Sequence, residues 1–196
     1  MLKAKKKNVL VLEKSSGIGG RMSTKPMGSQ IVDYGCQYIN PKTTISGHLA
    51  VKLEKLGFLS EINLDKNKSV YIAPYGMNKI PQYFSRKTKV LTNALVERIL
   101  RKKTGWEVFT DVGIFSSSSV VLTMPISQVE SLLQKSEVEQ FNLPKVDYLD
   151  FHTCTFVSDN HSVEGVYSEN ENFPWICNNS KKGLRNTRDA FTANVN

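Results

Sequence analysis

The sequence predicts a mixed α/β (α+β) protein, in which a nucleotide-binding sheet is joined to a second, β-rich lobe. Three observations carry that expectation. The first is the apolar run Val9-Leu10-Val11-Leu12, which ends on Glu13 and is followed by Gly17, Gly19, Gly20 and Arg21. The second is the succession of helix-like and strand-like segments over residues 46–87. The third is a series of short strand-like runs between 89 and 124, separated by turn residues, with further runs beyond 146. Helix-and-strand units followed by a β meander in one chain argue for layers of both kinds.

The elements follow in chain order. Residues 8–13 show no alternation, as expected of a parallel strand covered on both faces. Residues 15–25 form a loop, with Gly17, Gly19 and Gly20 supplying unusual backbone angles. Residues 30–33 are a short extended piece, and Gly35 follows. Leu49, Leu53 and Leu56 fall at helical spacing within 46–59, and Gly57 marks the stop. Residues 69–73 are a strand. Residues 78–87 form a helix with Asn78 as candidate cap, Ile80, Tyr83 and Phe84 on one side, and Pro81 in the first turn, where proline is tolerated. Strands are expected at 90–92, 95–99, 106–109 and 119–123, with turns at 102–105 and 111–113. Pro125 breaks the last of these, and 126–134 is a helix. Strands resume at 146–157, 165–167, 175–177 and 190–195, with polar loops at 170–174 and 178–188.

The 196 residues suit one domain or two small ones. Apolar residues make up 40% and charged residues 22%, a globular balance. No apolar run approaches the roughly 20 residues that span a bilayer. The apolar stretch behind the basic N-terminus stops at Glu13, too short for a signal h-region. A cytoplasmic protein without membrane attachment is expected. Cys36, Cys154 and Cys177 are odd in number and widely spaced, so neither a disulfide framework nor a zinc site is supported. His152 and Cys154 alternate on one strand face, yet a metal would need two further ligands, and a packed Cys beside a half-exposed His is the plainer expectation. The net charge of +8 favours an anionic ligand such as a nucleotide. Its densest runs, Lys3 to Lys7 and Arg101 to Lys103, lack the interleaved aromatics of a nucleic-acid surface, and solvated faces account for them.

The segment Gly17-Ile18-Gly19-Gly20-Arg21-Met22 narrowly misses GxGxxG, because Met22 holds the final glycine's place. In dinucleotide folds the glycine turn follows the first strand, and an acidic residue about 20 positions on holds the ribose. Glu13 ends a strand and suits the acidic role. The glycine turn then belongs before Met1, with MLKAKKK as the tail of a crossover helix. Small residues next to Arg21 let backbone approach a pyrophosphate and add a bidentate donor. A glycine-rich surface loop with a solvated Arg is the alternative.

Taken together, LEKSSGIGGRMST followed by VDYGCQYI resembles the renalase family of flavoproteins, within the flavin amine oxidase superfamily. VYIAPYGMNKIPQYF, VLTNALVERILRKKTGWEV, VVLTMPISQVESLL, PWICNNSKKGLRN and DAFTANV resemble further segments of that family, in order, over nearly the whole chain. The resemblance implies an incomplete Rossmann-type FAD-binding lobe (1–44 and 76–125) and a β-rich substrate lobe (45–75 and 126–196). It implies FAD as cofactor, held non-covalently, which takes a hydride at N5 from a reduced small-molecule substrate (a dihydronicotinamide isomer or an amine) and passes electrons to dioxygen. The flavin supplies that chemistry and the protein supplies binding and orientation, so no catalytic side chain is assigned.

Residue by residue, the resemblance implies that Glu13 holds the adenosine ribose. Gly19, Gly20 and Arg21, with Met22 and Ser23 alongside, meet the pyrophosphate. Gly35, Cys36, Gln37 and Tyr38 lie near the flavin ring. Val96 offers backbone bonds to the adenine, and Thr123 with Pro125 sits at the adenosine pocket; plain strand packing is the alternative for Val96 and Thr123. Two parts of the family pattern are missing from these residues: the first strand with its GxGxxG turn, and the C-terminal section with its flavin-side turn and closing helix. The expectation is therefore a truncated copy with weak or absent FAD binding. A non-catalytic binding or regulatory domain derived from the family is the second expectation. Nucleic-acid binding through the lysine runs is the third, and it predicts a steep loss of affinity with salt.

Overall fold

The computed structural model describes residues 7–65, 68–138, 142–148, 150–159, 167–168 and 175–195. In chain order its strands are β1 (Leu10–Leu12), β2 (Thr24–Met27), β3 (Gln30–Asp33), β4 (Ser60–Asp65), β5 (Lys68–Ile72), β6 (Lys89–Leu91), β7 (Val96–Lys102), β8 (Gly105–Thr110), β9 (Gly113–Ser117), β10 (His152–Ser158), β11 (Tyr167–Ser168), β12 (Trp175–Asn178) and β13 (Asp189–Val195). The helices are α1 (Thr44–Lys55), α2 (Lys79–Ser85) and α3 (Ile126–Lys135), and a single 3₁₀ turn covers Gly20–Met22. The mixed α/β expectation holds, as three helices with several small sheets. The chain divides into two compact units, Met1–Gly17 with Lys87–Leu149 and Ile18–Arg86 with Asp150–Asn196. No helix among the described residues is long and apolar enough to cross a membrane.

In the first unit, β1 and β6 pair in parallel, Leu10 opposite Lys89 and Leu12 opposite Leu91. The parallel pairing was expected; burial on both faces was not found. Leu10 and Val11 are 37% and 42% exposed, because β6 is the only strand beside β1 among the described residues. The meander β7–β8–β9 is antiparallel throughout. Its first turn needs Gly105: a Cβ there would stand 2.3 Å from the Ser117 carbonyl oxygen. One face of the meander packs on α3, where Ile99 and Val108 meet Val129, Leu132 and Leu133. One polar bridge enters this core. The Ser136 hydroxyl donates to the Leu132 carbonyl (2.6 Å) and accepts from the Ile99 N–H (2.9 Å).

Two expectations in this unit need correction. Residues 119–123 form no strand, and the third strand of the meander is β9 instead. The run Val120-Val121-Leu122 keeps a strand-like burial alternation without a ladder: Val120 and Leu122 pack on the apolar cluster, while Val121 is 74% exposed. Of the expected strand 146–157, the described residues 146–148 and 150–151 are irregular, and the strand runs from His152. Tyr148, just before it, uses its hydroxyl to accept the Ile126 N–H at the start of α3.

In the second unit, β2 and β3 form a hairpin turned at Gly28, and β4 and β5 form another. Strand β4 was not expected. Its Ser-Glu-Ile-Asn-Leu-Asp run is polar at every second position, which suits a half-exposed edge. Helix α1 begins at a Thr43–Ser46 capping box and stops before Gly57, which has a φ of 75°. Its periodicity is helical as expected, but the buried stripe is Ala50 and Leu53, whereas Leu49 and Leu56 are exposed. Ala50 and Leu53 join Leu59, Ala73, Met77 and Ile80 in one cluster. Asn78 does not cap α2 with its side chain; its backbone is already helical and its amide turns back toward the Thr24 carbonyl.

The remaining sheet of this unit has the order β10-β13-β12-β11, antiparallel throughout. Phe156 and Phe191 stack across β10 and β13 with centroids 5.2 Å apart. His152 and Cys154 do share a face, but both are exposed, so the packed Cys is corrected. The polar loop behind β12 is tied to β3 by side-chain amides. Asn186 accepts the Ile31 N–H at 2.7 Å and donates to its carbonyl at 2.9 Å, taking the place of a strand partner. The expectations for residues 1–6, 165–166 and 170–174 lie outside the described residues.

Candidate functional site

The glycine cluster and the segment after β3 form one construction within the second unit. Gly19 and Gly20 have φ of 153° and 53°, conformations that favour glycine. They let the chain reverse into the 3₁₀ turn, closed by Met22 N–H to Gly19 O (2.9 Å) and Ser23 N–H to Gly20 O (3.1 Å). The turn then meets residues 34–36. Cys36 N–H donates to the Arg21 carbonyl (2.8 Å), and Tyr34 N–H donates to the Ser23 carbonyl (2.9 Å). At Gly35 the backbones are so close that a Cβ would lie 2.1 Å from the Arg21 carbonyl oxygen. No other residue fits there without moving one of the two segments. The segment before α2 closes in as well: a Cβ on Gly76 would stand 2.7 Å from Thr24 Oγ1.

The structure therefore brings the segment of Gly19, Gly20, Arg21, Met22 and Ser23 against that of Gly35, Cys36, Gln37 and Tyr38. Arg21 is exposed and pairs with no carboxylate among the described residues, so its guanidinium is available to an anion. Gly17 and Gly20 have open space where a Cβ would stand, so a ligand can come close to the backbone at both. Cys36 donates its thiol to the Tyr38 carbonyl at 3.0 Å. Burial pushes that thiol up from its ordinary value, which keeps it a neutral donor rather than a thiolate.

The remaining candidates lie in the first unit. Glu13 follows β1, and its carboxylate accepts the Ser15 N–H at 2.8 Å, holding the start of the glycine loop. Its carbonyl accepts the Ala94 N–H at 3.0 Å, which sets Glu13 beside the segment that leads into Val96. Val96 opens β7 ahead of a bulge and packs on the apolar cluster. Thr123 is exposed in an irregular segment.

Sequence reasoning missed the centre of the second unit. Asp33 is fully buried, and each of its polar atoms is bonded. Its Oδ1 accepts from Thr24 Oγ1 (2.6 Å) and from the Met77 N–H (2.9 Å), and its Oδ2 pairs with Lys182 Nζ. Its N–H donates to Asn179 Oδ1 (2.9 Å), and its carbonyl accepts from Thr192 Oγ1 (2.8 Å) and from Gln37 Nε2. Lys182 has a side-chain exposure of 0% and also donates to Gln37 Oε1 at 3.2 Å. One residue thus joins the GGRMST, DYGCQY, APYGM, NNSKKG and DAFTAN segments, through its carboxylate, its N–H and its carbonyl. The only local signal was a charged residue ending a strand otherwise made of Gln, Ile and Val.

Beside this construction lies an apolar pocket of about 310 Å³, lined by Met22, Ile39, Leu49, Leu53, Ile80 and Phe84 among others. Ser46 is its one polar side chain. Among the described residues no three His, Cys, Asp or Glu side chains stand together as a metal site would require.

Residues 1–66 match the family model of flavin containing amine oxidoreductases. No curated protein matches the chain. Among solved structures, a protein from Exiguobacterium sp. 255-15 assigned as a protoporphyrinogen oxidase is similar, with a TM-score of 0.45 and 16% identity over 67% of this chain. That match takes in 32% of the Exiguobacterium chain, so the present chain corresponds to about a third of its length.

Proposed function

We propose that the chain carries the second phosphate-side motif and the ring-facing loop of a renalase-like, flavin-dependent oxidoreductase, with FAD as its cofactor. The observation that carries this reading is the joint between Arg21 and Cys36, where Gly35 has no room for a side chain. It locks a glycine-rich, arginine-bearing turn to a second loop, an arrangement suited to one ligand with a phosphate end and a ring end. The match of residues 1–66 to flavin containing amine oxidoreductases supports it.

In this reading Gly19, Gly20 and Arg21 meet the pyrophosphate, with Met22 and Ser23 behind them. Gly35, Cys36, Gln37 and Tyr38 face the ring system, and Glu13, Val96 and Thr123 serve the adenosine end. The residues present fit such a group: open backbone at Gly17 and Gly20, a guanidinium paired with no carboxylate among the described residues, and a thiol kept neutral and so a weak nucleophile. Bound FAD supplies acceptance of a hydride from a reduced substrate and delivery of electrons to dioxygen. The chain's own residues bind, orient and exclude water. The apolar pocket beside Met22 suits the uncharged face of a small substrate, a dihydronicotinamide isomer or an amine. The division into a Rossmann-type flavin lobe (1–44 and 76–125) and a substrate lobe (45–75 and 126–196) is part of the same proposal.

The test uses the isotope-labelled chain titrated with FAD and followed by amide NMR, which registers weak binding as well as strong. The expected result is movement of the Gly19, Gly20, Arg21, Cys36 and Tyr38 signals. Arg21→Ala should weaken the apparent affinity roughly tenfold, the scale of one charge-assisted contact. A folded chain whose signals at these positions ignore FAD overturns the reading in favour of a non-catalytic binding domain.

A further inference from the structure

Lys182 and Asp33 are 149 positions apart in sequence, both have side-chain exposures of 0%, and they form an ion pair. A buried pair of this kind is a poor source of stability, since apolar residues of similar volume often do as well or better. What the pair touches suggests another role. Gln37 folds back over its own loop, donating to the Gly35 carbonyl at 3.0 Å and to the Asp33 carbonyl, while its Oε1 accepts from Lys182. The lysine therefore grips both ends of residues 33–37 at once, the carboxylate of the first and the amide of the last. It is delivered by a fixed support. The turn before it is held by Asn178 Oδ1, which accepts the Ser180 and Lys181 N–H groups. After it, Gly183, at a φ of 96°, packs against Pro74.

We propose that Lys182 and Asp33 are a positioning pair that sets the shape of the Gly35–Tyr38 loop, rather than a support on which the fold depends. Lys182 is the new element: a fully enclosed cation that acts through Gln37 and Asp33 on the loop carrying Cys36 and Tyr38. The pair orients the Gln37 amide, the amide fixes the Gly35 carbonyl, and the loop backbone is left with one conformation. The proposal rests on the flavin reading only for what the loop faces.

The test compares the wild-type chain with Asp33→Asn/Lys182→Met, which removes both charges while keeping an acceptor for the Met77 N–H and Thr24 hydroxyl. Gln37→Leu is a third protein, with the ion pair intact and the loop clasp removed. Alkylation of Cys36 by iodoacetamide is followed by peptide mass spectrometry without flavin, with buried Cys177 as internal reference. The expected result is that both variants fold cooperatively and Cys36 reacts several-fold faster in each, while Cys177 stays protected. A double variant that fails to fold overturns the positioning role, because the pair then holds the fold. Folded variants with wild-type Cys36 reactivity overturn it as well. The flavin reading is scored separately, by FAD-induced shifts in the wild-type chain: their absence removes that reading and leaves the loop result standing.

Discussion

The two units of this chain are built on opposite principles. The first encloses an apolar layer between α3 and the meander, with Ser136 as the polar bridge described above. The second divides its apolar residues between two clusters and places a charged, fully bonded network at Asp33. An apolar layer is tolerant: side chains can repack while the volume is kept. A buried network is exacting, since each atom has one geometry in which it is satisfied. The unit in which a glycine turn and the Gly35–Tyr38 loop are joined uses the exacting mode. The difference teaches where to look for function in a chain of this kind, at the polar centre rather than at the larger core.

The largest expected effect follows from breaking the network on one side. Lys182→Ala leaves the Asp33 carboxylate buried without its cation and should cost about 3–5 kcal/mol. Urea unfolding measures the loss. Amide exchange should locate it in residues 18–86 and 175–195, with the meander and α3 unchanged. A loss spread evenly over both units would break the comparison.

The matching change in the first unit is Leu132→Ala, which empties part of the layer without touching a polar group. Its expected cost is about 2–4 kcal/mol from transfer and cavity terms, read by the same unfolding curves. Here exchange should rise in β7, β8 and α3. Partial recovery by Leu132→Met, a volume-conserving change, would sharpen the distinction between a tolerant layer and an exacting network.

The two modes also differ in how far the sequence announced them. The layer was largely legible: α3 and the β7–β8 hairpin come from apolar periodicity and from turn residues such as Gly105, which are local signals. The strand β9 was missed because Val120-Val121-Leu122 offered the stronger apolar, β-branched run, and nothing local distinguishes packing on a core from pairing in a ladder. Strand β4 was missed because Glu61, Asn63 and Asp65 are poor strand formers, and their pairing with β5 is not a local signal. In the candidate site, Gly19 to Ser23 and Gly35 to Tyr38 were legible as motifs. Their joint was not, since the clash that makes Gly35 necessary involves the Arg21 carbonyl. Asp33 and Lys182 were invisible for the same reason in stronger form. Their partners come from five separate segments, and no periodicity links them.

A third prediction concerns pH. Burial pushes the Cys177 thiol up from 9.0 to about 11. Between those values the unfolded chain has lost the proton and the folded chain keeps it, so the folded state binds more protons and stability falls as pH rises. The contribution is intact below about pH 9 and is lost by about pH 11, on the order of 2–3 kcal/mol in all. Cys177→Ala should flatten that part of the stability curve, measured by urea unfolding at successive pH values. An unchanged slope would mean that the thiol is more open to water than the packing of β12 suggests.

The smallest expected effect returns to the cations. Lys182 is enclosed and answered by a carboxylate, whereas two arginines of the meander lie on aromatic faces. Arg98 stands 4.3 Å from the Phe109 ring centre and Arg101 stands 4.9 Å from that of Trp106, each on its cross-strand partner. An arginine on an exposed strand keeps most of its hydration, so the attraction adds to pairing without a burial cost. Arg98→Ala should therefore cost only about 0.5–1 kcal/mol. A double-mutant cycle with Phe109→Leu separates the ring contact from lost packing of the arginine stem. A coupling above about 2 kcal/mol would place Arg98 with the desolvated cations. The contrast would then lie not between the two units but between enclosed and exposed cations, with Arg98 on the same side as Lys182.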